Sequence, residues 1–161
     1  MRKIDQLLGE YGESHQTKFN RIVHYFCVPA IFLSLIGLFA GIALPAAVQD
    51  ILPESFRPFA HVGSVIIVLG LVYYLRLSVI LFLSMLVFST LVLLAIQQVV
   101  LLDIAPLWIV MLAIFVIAWI VQFIGHKHEG KKPSFLKDVQ FLMIGPAWTM
   151  SHLFDALKIK F

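Results

Sequence analysis

Charge is scarce in this 161-residue chain, with Asp, Glu, Lys and Arg together making up only 13% of it. An ordinary soluble domain carries about a quarter. Hydrophobic residues reach 61%, more apolar surface than one core of this size can hide, and lipid is the solvent that such a composition fits. Cysteine is almost absent. Cys27 stands alone, which excludes an internal disulfide and leaves the redox compartment open. Familiar catalytic signatures are missing too: no HExxH, CxxC, Walker loop or GxSxG occurs, so those chemistries have no anchor. His24 lies three residues from Cys27, but the apolar helix expected around the pair does not favour a thiolate. The first 23 residues lack the apolar centre of a secretory signal, so targeting is expected to come from the spans themselves. No separate basic module exists, which argues against nucleic acid as a partner. The net charge of +3 suits an anionic membrane face instead.

What is present is long apolar runs. Four stretches are long enough to cross about 30 Å of hydrocarbon as helices, which takes roughly 20 residues each, the second being short but workable. They lie at about His24–Val48, Phe59–Tyr74, Val79–Leu101 and Leu107–Ile124. Pro45 is expected to finish the first, the segment around Arg76 to turn between the second and third, and Asp103 with Pro106 to mark the next turn. Gly37 and Gly41 form a GxxxG in the first span, either a close helix contact or a chance spacing in a glycine-tolerant helix. The expected fold is all-α: a single multi-pass membrane bundle over residues 1–161, with four transmembrane helices and short C-terminal interfacial or re-entrant helices over 133–158. In that tail Gly145-Pro146 should separate two short helices; a fifth, broken span is the alternative.

Lysine and arginine set the orientation. Arg2, Lys3, Lys18 and Arg21 precede the first span, Arg76 lies in the second turn, and Lys127, Lys131, Lys132, Lys137, Lys158 and Lys160 follow the fourth. With four spans these share one side, which the positive-inside rule makes cytoplasmic. Arg57 is the dissenting charge. Both termini are therefore expected in the cytoplasm, with a bacterial inner membrane, or the endoplasmic reticulum in a eukaryote, as the host.

Histidine is distributed unevenly against this layout. His15, His24, His126, His128 and His152 fall at the cytoplasmic side or the span ends that meet it, while His61 alone lies at the outer end. Imidazole is the commonest metal ligand and suits iron, zinc or copper, and ionisable groups at membrane depth tend to mark function. Asn20 and His24, at i, i+4, share a helical face if the first helix starts early. Gln122, His126 and Glu129 share one if the fourth helix continues past Gly125, and Trp148, His152 and Asp155 repeat that spacing. His15 converges with His24 only if the chain bends between them. His128 points away from His126 on a helix.

The histidine blocks also carry a resemblance. "HQTKFNRIVH" (His15, Asn20, His24) with Pro29 after it, "QFIGHKHEGKKP" and the later "GPAW" together resemble the membrane-bound 2-hydroxy fatty acid dioxygenase family. The resemblance covers nearly the whole chain in order. It implies an iron(II) enzyme (zinc or another divalent metal being possible in purified protein) that uses O2 to shorten a 2-hydroxy fatty acid by one carbon. It maps the essential histidines to His15, His24 and His126, with His152 standing where many relatives have a glutamate and thus a further ligand. In that scheme Glu129, Asn20 and Gln122 orient the ligands and Lys131 or Lys132 offsets the substrate carboxylate, while the acyl tail lies along the spans. A lipid-binding or scaffold protein without enzymatic activity, or a small metal or lipid transporter, are the alternatives. The near absence of polar groups at mid-span counts against transport.

Overall fold

A computed structural model describes residues 2–133 and 140–158. Residues 134–139 of the expected interfacial tail, with Lys137 among them, and Lys160 lie outside the described residues. The helices are α1 (Lys3–Gly12), α2 (Lys18–Ala40), α3 (Ala46–Gln49), α4 (Val62–Leu77), α5 (Val79–Leu102), α6 (Leu107–Glu129) and α7 (Gln140–Leu157). A 3-10 turn covers Glu54–Phe59, and a lone bridge between Ala43 and His61 is the nearest thing to a strand among the described residues.

Helices α2, α5 and α6 are long and apolar enough to cross a membrane. The second expected span is α4, and its 16 residues measure only about 24 Å along the axis. Pro53 and Pro58 hold the preceding residues in the 3-10 turn, so α4 begins only after His61, whose Nδ1 accepts from the Ser64 amide at 3.2 Å. Among the described residues three helices thus reach spanning length, and α4 is a shorter apolar helix. The outward faces of these helices remain apolar, with Val68, Leu69, Val87, Leu91, Ile117 and Ile120 all exposed, as a lipid-facing surface requires.

Boundaries also move for local reasons. Helix α2 begins at Lys18 rather than His24, because the Thr17 hydroxyl caps it by accepting from the Asn20 amide at 3.3 Å. It stops at Ala40, and Pro45 precedes the short α3 instead of closing α2. Ser78, extended at φ −166°, ends α4 and caps α5; Asp103 ends α5 in the left-handed region at φ 46°. Helix α6 runs past Gly125 to Glu129, where Gly130 at φ 74° closes it. The expected break at Gly145-Pro146 is absent: α7 is one helix through both residues. Proline costs a helix a backbone donor and crowds the turn before it, yet α7 runs on, packed against α1 through Ile144, Ala147 and Trp148.

Helix α2 is the central post. The Cβ site of Gly37 is taken by the Met111 side chain of α6, and a Cβ on Gly63 of α4 would meet the Ile36 carbonyl at 2.6 Å. The GxxxG pair therefore divides, with Gly37 making a close contact and Gly41 serving as the C-cap. Ile36, Ile67, Val92, Ile96 and Met111 fill the core at that depth. At the other end, α1 presents Ile4, Leu7 and Tyr11 at helical spacing and buries them against Ile144, Ala147 and Trp148 of α7.

Candidate metal centre

Three histidines meet where α2 begins and α6 ends. After Gly12 the chain turns through residues 13–17, which supplies the bend that His15 needs. Its ring stacks on Tyr11 (centroids 4.3 Å apart, planes 11° apart), and its Nδ1 lies 2.6 Å from the Tyr11 carbonyl. His24 repeats this arrangement, with Nδ1 2.9 Å from the Asn20 carbonyl. A carbonyl only accepts, so in both rings Nδ1 carries the proton and Nε2 keeps its lone pair. His126, on α6, brings its ring within 5.0 Å of His15 and 4.8 Å of His24, centroid to centroid. One ring nitrogen from each of the three lies within 4.8 Å of the others.

All three rings are buried, and His15 Nε2, His24 Nε2 and His126 Nδ1 have no hydrogen-bond partner. Unpartnered buried nitrogens are costly, and lone pairs converging on one point repel. A cation at that point satisfies all of them, and ring N–H donation to a backbone carbonyl is how protein-held metals orient imidazole. Burial pushes the His15 pKa down to about 4, against the opposing pull of the Tyr11 carbonyl, so its ring is neutral and able to bind metal at pH 7. The residues present thus fit a divalent metal held by three neutral nitrogens with positions left open.

The other expected site residues fall in distinct places. Asn20 is fully buried; its amide donates to the Ser14 carbonyl at 3.0 Å and its Oδ1 has no hydrogen-bond partner. Gln122, one turn before His126, is buried with Oε1 likewise without one. Glu129, at the end of α6, makes its hydrogen bonds to the turn before α2 and to the Asn20 side chain. Its carboxylate accepts from the Gln16 amide at 2.8 Å, the Thr17 amide at 2.9 Å and the Thr17 hydroxyl, strapping the turn that carries His15 to the end of α6. Lys131 strengthens the strap by donating to the Glu13 carbonyl at 2.7 Å, and Lys132 is exposed. His152 stays outside the group of three. Its ring meets Trp148 at 4.3 Å and Tyr25 at 5.6 Å, and Trp148 in turn touches His15; burial lowers its pKa. His128 is exposed, edge-on to Phe19 at 4.9 Å. His61 is an ordinary helix cap at the opposite end of α4.

Sequence reasoning missed Tyr11 and Gly125. A Cβ on Gly125 would sit 2.5 Å from Asn20 Oδ1 and 3.1 Å from Val23 Cγ1, so only glycine lets α6 bring His126 this close to α2. Its place immediately before His126 was the available signal. Tyr11 had none beyond its spacing from Ile4 and Leu7. Tyr11 and Gln122 also border an apolar cavity of about 300 Å³ that runs between α2, α4, α6 and α7.

The chain belongs to the family described as 2-hydroxy-palmitic acid dioxygenase Mpo1-like, whose family model matches residues 1–157. No curated protein and no solved structure matches it.

Proposed function

We propose, with membership of that family as the premise, that the chain is an iron(II)-dependent dioxygenase that shortens 2-hydroxy fatty acids by one carbon. The observation that carries this reading is the convergence of three buried, unpartnered imidazole nitrogens within 4.8 Å. His15, His24 and His126 would hold the metal, which when bound supplies O2 activation and the open positions that an α-hydroxy carboxylate head requires. The Tyr11 and Asn20 carbonyls keep the His15 and His24 rings in the tautomer that ligates. The free amide oxygens of Asn20 and Gln122 accept the protons of the substrate head and orient it. Glu129 holds the His15 turn in place, and Lys131 and Lys132 lend positive charge beside the centre that offsets the substrate carboxylate. Helices α1 and α7 cover the centre and exclude water through Tyr11 and Trp148, both buried.

In this reading the centre lies at the cytoplasmic membrane face, which the lysines and arginines around it favour. A reporter fused after Phe161 that reads out on the far side would overturn that orientation. A metal or lipid carrier has less support, because the mid-span hydroxyls of Ser34, Ser84 and Thr90 all bond to their own helices. The deciding experiment is metal analysis of anaerobically purified protein beside His126→Ala, followed by O2 uptake with 2-hydroxy and unsubstituted fatty acids. Stoichiometric metal lost in the variant, and uptake restricted to the 2-hydroxy acids, is the expected result. A metal-free intact protein would end the proposal.

A further inference from the structure

The cavity beside the three histidines has a shape and a chemistry of its own. Its walls are almost wholly apolar. Val28, Ile31 and Phe32 of α2, Ile66 and Leu71 of α4, and Phe115 of α6 give it a hydrocarbon lining. Among its polar contributors, Tyr11 and Gln122 stand at the histidine end, where Tyr11 stacks on His15 and Gln122 lies one turn from His126. At the opposite end it closes on Ile36 and Ile67, which belong to the tightly packed core beyond. From Val28 to Ile36 the α2 wall rises about 12 Å.

Two lining residues show where the cavity meets the surroundings. Leu35 and Leu142 both line it, yet they are 37% and 43% exposed on the flank of the bundle. The opening therefore lies among lipid-facing side chains, and not in the polar turn that carries Glu129 and the lysines. A single acyl chain dissolved in the bilayer can slide in sideways and keep its hydrocarbon out of water throughout.

Gly70 is the smallest residue of the α4 wall. It is buried, it lines the cavity midway along α4, and a Cβ there would meet only the flexible tip of Met143, at 3.0 Å. Tyr74 lies one turn toward the histidines and Ile66 and Ile67 one turn away from them. A larger side chain at position 70 would consequently fill the space between the upper and lower halves.

We infer that this cavity is the acyl-chain site, that it is loaded laterally from the bilayer between α2 and α7, and that Gly70 keeps its lower half open and so sets the accepted chain length. The chain-length part rests on the 2-hydroxy acid reading; binding of an acyl chain does not.

The test compares Gly70→Phe and the milder Gly70→Val with the unaltered protein in lipid nanodiscs. Binding is followed by the fluorescence of cis-parinaric acid, a polyene fatty acid without a 2-hydroxyl. Turnover is followed as kcat/KM for sixteen-carbon and eight-carbon 2-hydroxy acids, with metal content measured alongside. The sixteen- to eight-carbon ratio of kcat/KM should fall at least about tenfold in Gly70→Phe, since several methylenes lose their pocket, and less in Gly70→Val. Leu142→Trp, at the opening, should slow parinaric acid uptake. If turnover exists but both Gly70 variants keep the original ratio and Leu142→Trp binds at the original rate, the cavity assignment is overturned while the reaction stands. Should parinaric acid bind and Gly70→Phe abolish that binding without any turnover of 2-hydroxy acids, the cavity assignment survives and the reaction reading falls.

Discussion

The two ends of the bundle treat buried polar atoms in opposite ways. At the far end His61 is buried, but its Nδ1 accepts from the Ser64 amide that starts α4. Along the spans, the hydroxyls of Ser34, Ser84 and Thr90 donate to carbonyls of their own helices. At the histidine end, nitrogens of His15, His24 and His126 and amide oxygens of Asn20 and Gln122 are left without partners. Each such group costs on the order of 1–3 kcal/mol in a protein interior. Their concentration at one end, against the satisfied groups of His61, Ser34, Ser84 and Thr90 elsewhere, is what separates a binding centre from tolerated polarity.

Removing one histidine from each end is the most severe test of that contrast. His24→Ala should lose stoichiometric metal and lower turnover at least about 100-fold, beyond the 10- to 100-fold typical of groups that merely support ligands. His61→Ala should keep its metal and lose only the stability of a helix cap, about 1 kcal/mol. Metal analysis and thermal unfolding of the two variants, run together, decide it; equal metal loss in both would erase the distinction between the ends.

Glycines provide the next test, because each end has one that admits a neighbouring helix. Gly125→Ala forces a methyl against Asn20 Oδ1, and Asn20 is held by its bond to the Ser14 carbonyl. We expect a stability loss of about 1–3 kcal/mol together with metal affinity weakened roughly tenfold or more, as for other groups that support ligands, because His126 moves away from His24. Gly37→Ala meets the Met111 side chain at the other end, so it should lose stability without losing metal affinity. Competitive metal titration with a chelator separates the two. Gly9→Ala, inside α1 with nothing within 4 Å, is the reference for metal affinity and should gain up to about 1 kcal/mol of stability.

A smaller effect is expected at Glu129, whose position shows how far the sequence could be read. Spacing alone put Gln122, His126 and Glu129 on one helical face, and hydropathy marked the spans. What spacing could not reveal is that Glu129 serves the other side of the contact, by fastening Gln16 and Thr17. That pairing joins residues more than a hundred positions apart, and it places His15, whose convergence with His24 was conditional on a bend. The start of α2 was misplaced because Lys18, Asn20 and Arg21 look like surface residues, although Asn20 is fully buried. Helix α1 was overlooked because its apolar stripe is short and set among charges, and α7 was expected to break because its packing against α1 through Ile144, Ala147 and Trp148 is a tertiary fact. Glu129→Gln keeps one acceptor but gives up the charge-assisted bonds. It should weaken metal binding about tenfold while leaving metal stoichiometry at saturation intact, measured by the same titration.

The least effect is expected from Ser34→Ala, and its smallness completes the comparison. Ser34 is fully buried in α2, as Asn20 and His24 are, so burial alone predicts that all three matter equally. Its hydroxyl, however, donates to the Ile31 carbonyl at 3.0 Å, and that carbonyl still has the amide of Leu35 one helical turn on. Loss of the hydroxyl therefore strands no polar group, and alanine is the better helix former. Stability should change by less than about 1 kcal/mol, with metal affinity and turnover within about twofold, a difference well under 1 kcal/mol. A Ser34→Ala protein that lost its metal would mean that polarity anywhere along α2 supports the centre, and the division between the two ends would fail.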